Sequence, residues 1–178
     1  MNSNDIIGNE LADILNESND IEQDEEVIPE DEIVQVVSFS LLNNVEYGID
    51  ILKIHEILRI TDISRLPNTP EFVLGVINLR GNVIPVINVR KRFGYSENEY
   101  TLDTRIIVVG IGNKLVGLLV DKVFQVIRIP LKDISSPSEL IDGISAEFIQ
   151  GVGRLKDRLI IMLKLDNMLF PVEEYEEK

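Results

Sequence analysis

The sequence predicts a mainly β protein: two five-stranded β-barrels packed side by side, with short connecting helices. Three observations carry this. From Ile33 onward, short runs rich in Val, Ile and Leu recur, broken by Gly, Pro and Asn, which is the pattern of many short strands separated by turns. The runs form an internal repeat, so the chain holds two similar units. Five short strands cannot bury both faces in an open sheet, whereas closing them into a small barrel removes the exposed edges and creates an aliphatic interior.

The repeat is read residue by residue. Tyr47-Gly48-Ile49 and Lys53-Ile54-His55-Glu56-Ile57-Leu58-Arg59-Ile60 align at an offset of 69 with Val116-Gly117-Leu118 and Lys122-Val123-Phe124-Gln125-Val126-Ile127-Arg128-Ile129. Phe72-Val73-Leu74-Gly75-Val76 aligns at an offset of 76 with Phe148-Ile149-Gln150-Gly151-Val152. Val83-Ile84-Pro85-Val86-Ile87 then matches Leu159-Ile160-Ile161-Met162-Leu163. Two barrel subdomains follow, spanning approximately 45–95 and 103–170 within a domain at 33–170, with strand 34–41 closing one of them. The residues leave open which strand closes which barrel.

Strands are expected near 34–41, 45–49, 57–61, 74–79, 82–88, 105–111, 115–120, 123–129, 150–155 and 158–164, and short helices at 50–55, 89–93 and 165–169. Gly48 and Gly117 lie inside strand patterns, where glycine marks a bulge or tight bend. Pro85 has no N–H to give to a ladder, so its strand is expected at an edge or a bulge. Gly112-Asn113 reads as a hairpin turn with positive φ. The segment Gly110-Ile111-Gly112-Asn113-Lys114 superficially resembles a phosphate loop but lacks the Gly-Lys-Ser/Thr ending and the following helix. Asp50 and Asp121 sit at passages out of strands and are expected to cap or to turn.

Composition narrows the function. The chain carries a formal charge of −14 with 31 acidic and 17 basic residues. Twelve of the acids and no Lys or Arg fall in residues 1–32, which leaves the rest near neutral, at −2. Residues 1–32 read as an acidic, mostly disordered arm, with one candidate short helix at 9–15, and 171–178 as a second acidic tail. Such an arm repels phosphate backbones, so no nucleic-acid partner is expected. There is no Cys, which excludes disulfides, thiolate metal sites and a Cys nucleophile and fits a reducing cytoplasm. No apolar run approaches the roughly 20 residues that span a bilayer, so direct membrane insertion is not expected. No signal peptide is visible either. His55 is the only His and its repeat partner is Phe124, which favours packing over chemistry. No catalytic residue, metal or cofactor is expected.

The ordered set of motifs resembles one family. Tyr47 to Ile57 resembles the opening signature of CheW proteins. Leu66-Pro67-Asn68-Thr69-Pro70-Glu71-Phe72 through Asn78-Leu79-Arg80-Gly81 resembles their long central signature, and Val83 to Asn88 continues it. Val116 to Val123 and Phe148 to Gly153 match the second half. The resemblance covers about residues 34–170. It implies that the two barrels are SH3-like. It also implies a non-catalytic coupling role in bacterial chemotaxis, with two partners: the regulatory domain of the histidine kinase CheA and the cytoplasmic tip of methyl-accepting chemoreceptors. The implied location is the cytoplasm, at membrane-associated receptor arrays. Two positions depart from the family pattern: Asn88 and Lys164 stand where many relatives carry Asp.

On this resemblance the receptor-binding residues are Ile54, Glu56, Ile57, Gly75, Val76 and Arg80, while kinase-binding residues are not assigned. Arg80 offers planar donors suited to a partner's carboxylate or carbonyl oxygens; the plainer reading is a salt bridge inside the barrel that holds its turn. Ile54, Glu56 and Ile57 form an apolar–acidic–apolar trio able to grip a helix, although both Ile residues also suit the core. Gly75 chiefly serves a backbone bend. The alternative circuits are a CheW-like adaptor of a non-flagellar chemosensory pathway and, more remotely, a small-ligand-binding barrel. The latter needs convergent polar groups that the sequence does not supply.

Overall fold

In the computed structural model, residues 27–42, 45–137 and 143–168 are described. The candidate helix at 9–15 and the tail at 171–178 lie outside them. Eleven strands are described. The first repeat gives β1 (Ile33–Leu42), β2 (Val45–Asp50), β3 (Ile54–Arg59), β4 (Val73–Leu79) and β5 (Asn82–Asn88). The second gives β6 (Arg105–Ile111), β7 (Lys114–Val120), β8 (Lys122–Pro130), β9 (Ile134–Ser135), β10 (Ile149–Leu155) and β11 (Arg158–Leu163). Each repeat ends in a one-turn helix, α1 (Val89–Arg92) and α2 (Leu165–Met168).

The strands form two sheets, in the orders β8-β1-β2-β11-β10-β9 and β3-β6-β7-β5-β4. Each sheet therefore combines the first two strands of one repeat with the later strands of the other. The parallel pairs β2·β11 and β5·β7 stitch the halves together. The contiguous subdomains 45–95 and 103–170 are not the units that pair, and strand 34–41 joins β8 and β2 rather than its own sequence neighbours alone. Local patterning carries no information on such long-range pairing. The two sheets are repeat images of one another, and they close alike. In one, Ser64 bridges to Val76 of β4; in the other, Ser135 of β9 bridges to Val152 of β10.

Aliphatic burial follows this plan. Ile77, Ile84, Val86, Ile106, Val108 and Leu119 fill one barrel. Val36, Ile127, Ile129, Ile160 and Met162 fill the other. The largest cluster draws on both sheets and forms the seam between them, from Phe39, Leu41, Tyr47 and Ile49 to Ile107, Val109, Val116 and Leu118. Burying a side chain of this size contributes roughly 1.5–3 kcal/mol, so the seam binds the barrels into one body.

Several local expectations change. The segment 50–55 is not a helix but a single 3-10 turn, Ile51–Lys53, whose preceding Asp50 carboxylate accepts from the Leu52 amide at 2.9 Å. β3 therefore begins at Ile54, three residues early, and stops at Arg59. Asn88 caps α1 through the Lys91 amide. Pro85 is not on an edge strand: β5 lies between β7 and β4, and the β7 pairing begins only at Val86, so the missing N–H falls outside the ladder. Gly48 and Gly117 mark close approach, not bends: a Cβ at Gly117 would lie 2.8 Å from Ile106 Cγ2. In the 112–113 turn only Gly112 has positive φ. Asp121 caps nothing and instead receives the Arg90 guanidinium.

Candidate functional site

The β4–β5 hairpin places the site. Leu79 pairs with Asn82, so Arg80-Gly81 is a two-residue turn. Their φ values are +50° and +86°, the left-handed pair that matches strand twist and normally selects Asn-Gly or Asp-Gly. Gly81 meets this freely, and its amide donates to Asn78 Oδ1 at 2.9 Å. Arg80 does not: a non-glycine residue here costs about 1–2 kcal/mol.

The Arg80 side chain is 73% exposed. Its Nη1 and Nη2 donate to Glu56 Oε1 and Oε2 at 3.0 and 3.1 Å, a fork-to-fork pair. Glu56 is 20% exposed and stands on β3 opposite Val108, on the face it shares with Leu58. An ion pair this wet contributes about 0.2–1 kcal/mol, less than the backbone cost it accompanies. Stability alone does not select Arg at this turn. What the pair supplies is orientation: a guanidinium held in one direction above the sheet.

The remaining candidates separate into two groups. Ile57 is 40% exposed and lies in the outward row of β3 with His55 and Arg59. Ile54 is half-buried against the shared seam and is a packing residue. Gly75 is buried at φ +144°, and a Cβ there would stand 2.1 Å from the Ser64 carbonyl oxygen. Val76 is half-buried, and its backbone makes both hydrogen bonds to Ser64, at 2.8 and 2.9 Å. Gly75 and Val76 thus build the closure of the barrel that carries Arg80. The structure joins Glu56 to Arg80 directly, sets Ile57 on the opposite side of β3 from Glu56, and keeps Gly75, Val76 and Ile54 as the frame. Ser64 and Asn78 were invisible as site residues, because only the closed barrel brings Ser64 to β4. Phe124, the repeat partner of His55, is 49% exposed rather than packed; the bulge between β1 and β8 at this point turns it outward. It lines a shallow groove with Glu46, Lys122, Val123, Gln125 and Arg158.

Among the described residues, no group of three or more His, Cys, Asp or Glu side chains is placed to hold a metal ion, and no helix is long and apolar enough to cross a membrane. Fold and surface together give two strand-exchanged barrels, one of which presents an oriented, exposed cation. The comparisons agree. The model of the CheW-like domain matches residues 35–170. A chemotaxis protein CheW of Klebsiella aerogenes is 37% identical over 72% of this chain and 77% of its own length. That of Helicobacter pylori is 34% identical over 92% and 98%. The crystal structure of the scaffolding protein TtCheW from Thermoanaerobacter tengcongensis matches with a TM-score of 0.70 at 40% identity, covering 74% of this chain and 88% of that one. The chain belongs to the CheW-like family, and it is a chemotaxis coupling adaptor, not an enzyme.

Proposed function

We propose that this chain couples chemoreceptors to the histidine kinase CheA, binding the kinase through its regulatory domain and the receptor at its cytoplasmic tip. Receptor contact is assigned to the outward face of β3 and the turn beside it: Ile57 supplies apolar contact, and Arg80 supplies donors. The observation that carries this is the Arg80 turn. The guanidinium is exposed and held in one direction by the Glu56 fork, a pre-orientation that the surface ion pair's small return in stability does not account for. Glu56 keeps Arg80 extended until a partner carboxylate or carbonyl oxygen takes over part of the fork. That exchange loses little, because each carboxylate–guanidinium geometry is equivalent. Gly75, Val76 and Ile54 act behind this surface by holding the barrel closed. Signal transfer is then a shift in packing between bound partners, with no covalent step.

The test is calorimetric titration with a purified CheA regulatory domain, followed by a receptor-tip fragment. Both bind the unaltered chain. Arg80→His weakens the receptor step and leaves the kinase step and the unfolding transition unchanged. An Arg80→His protein that binds the receptor tip normally removes Arg80 from the interface; one that unfolds assigns Arg80 to the barrel alone.

A further inference from the structure

Away from the Arg80 turn, one side chain lies between the two repeats. The Arg92 guanidinium carbon stands 4.6 Å from the ring centroid of Phe72 and 4.6 Å from that of Phe148. These two rings are repeat partners at the offset of 76, each just ahead of the strand that closes its barrel. A cation between two aromatic faces is attracted to both, by roughly 0.5–2 kcal/mol each.

Arg92 also crosses to the other repeat through its edge. Its Nε donates to the Met168 carbonyl at 2.8 Å and its Nη2 to the Asn167 carbonyl at 3.4 Å. Those carbonyls end α2, where helix geometry leaves the last oxygens without intrahelical partners. Asn167 in turn donates from Nδ2 to the Glu147 carbonyl at 2.7 Å, tying α2 to the turn that carries Phe148. The offset of 76 maps Arg92 onto Met168. Arg92 therefore contacts its own repeat equivalent, which places it where the two repeats meet. Met168 is fully buried, and the neighbouring Phe93 ring meets Phe148 at 5.5 Å and Tyr47 at 6.1 Å. The repeats exchange strands, so they cannot separate without breaking sheet pairing. A change in the angle between the barrels would have to part Arg92 from Phe148 or from the α2 carbonyls.

We propose that Arg92 is a positioning residue for coupling: it fixes the angle between the barrels and thereby the relative placement of surfaces on the two of them. Its effect on receptor coupling rests on the function proposed above; its effect on the inter-barrel angle does not. The chain has no Cys, so two spin labels can be placed cleanly at Val83→Cys and Leu159→Cys. These are exposed, repeat-equivalent positions, one on each sheet. Electron–electron double resonance on the full chain reads their separation. The Arg92→Met chain keeps side-chain bulk and loses the fork and the cation. It is expected to give a distance distribution at least about twice as wide, with the strand signature of its circular dichroism intact, and a receptor-step affinity about two- to thirtyfold weaker, the range by which substitutions between coupled sites act. Arg92→Lys keeps the cation between the rings without the fork and falls between the two; if Arg92→Met fails to fold, this variant carries the test. An unchanged distribution in the folded variants overturns the positioning role. A widened distribution with unchanged receptor affinity overturns the coupling role. A parent chain that binds neither partner overturns the proposed function while the distance measurement still decides whether Arg92 fixes the angle.

Discussion

The β4–β5 and β10–β11 hairpins occupy equivalent places in the two barrels. Arg80 enters one turn at φ +50°, and Lys156 enters the other at the same angle. Behind each, a glycine, Gly75 of β4 or Gly151 of β10, allows its strand to meet the serine that closes the barrel. The side chains then part company. Arg80 is held by Glu56, whereas the position equivalent to Glu56 is Gln125, and Lys156 makes no ion pair among the described residues. Around the second hairpin the ion pair is made instead by Arg158 with Glu46, which lies on the other repeat. One backbone plan therefore serves two tasks: an oriented surface cation in one barrel, and a strap between repeats in the other. The two hairpins share a backbone geometry and differ in where their charges are placed.

That comparison can be broken in stages. The largest effect is expected at Gly75. Gly75→Ala forces a Cβ to within 2.1 Å of a backbone oxygen at φ +144°, so urea denaturation should show a loss of about 3 kcal/mol or more. Its counterpart Gly151 has no positive φ, and its Cβ would meet Ile134 Cγ2 at 2.8 Å and the Ser135 carbonyl oxygen only at 3.2 Å, a milder clash than at Gly75. Gly151→Ala should cost about 1–2 kcal/mol. Equal losses at the two positions would show that the closures are not built differently. At the turns, Lys156→Gly should raise stability by about 0.5–1 kcal/mol by relieving left-handed strain. Arg80→Gly should stay within about 0.5 kcal/mol of the parent, because the lost Glu56 pair offsets the relief, yet it alone should weaken the receptor titration. The smallest effect is expected from removing residues 1–26: the midpoint of thermal unfolding should move by no more than about 0.5 kcal/mol equivalent, and a non-cooperative transition would contradict this.

Much of this was legible in the sequence, for a physical reason. Alternating Val and Ile, turn glycines and the two offsets report local structure and duplication, and the ten strand segments read from them all appear as strands. The two barrels followed from the internal repeat together with the need to close short sheets, but their boundaries along the chain did not. Strand exchange was not legible, because Val36 carries the same local signal whether its neighbour is Asp50 or a residue of the other repeat such as Ile127. The short β9 was missed because two residues give no periodicity. In the site, the Arg80 turn and the backbone duty of Gly75 were readable from Leu-Arg-Gly-Asn and Phe-Val-Leu-Gly-Val. The Glu56–Arg80 pair was open between a partner's charge and an internal bridge, since 24 residues separate them and only closure of the barrel decides it. Ile54 could not be told from Ile57, because the bulge between Ile54 and Glu56 interrupts the alternation; the two pair with Val109 and Ile107 of the seam, and they differ in exposure alone.

The exchange of strands has a consequence for how such a molecule can arise. A chain holding a single repeat would carry two strands that belong to one barrel and three that belong to another, and neither set closes by itself. It could finish a barrel only by trading strands with a second copy, so folding and dimerisation would be a single event. Joining two such copies through the segment 93–104 turns a concentration-dependent partnership into an intramolecular one. The linked copies are then free to diverge, one keeping an arginine at its turn while the other takes a lysine, without either losing the strands it borrows.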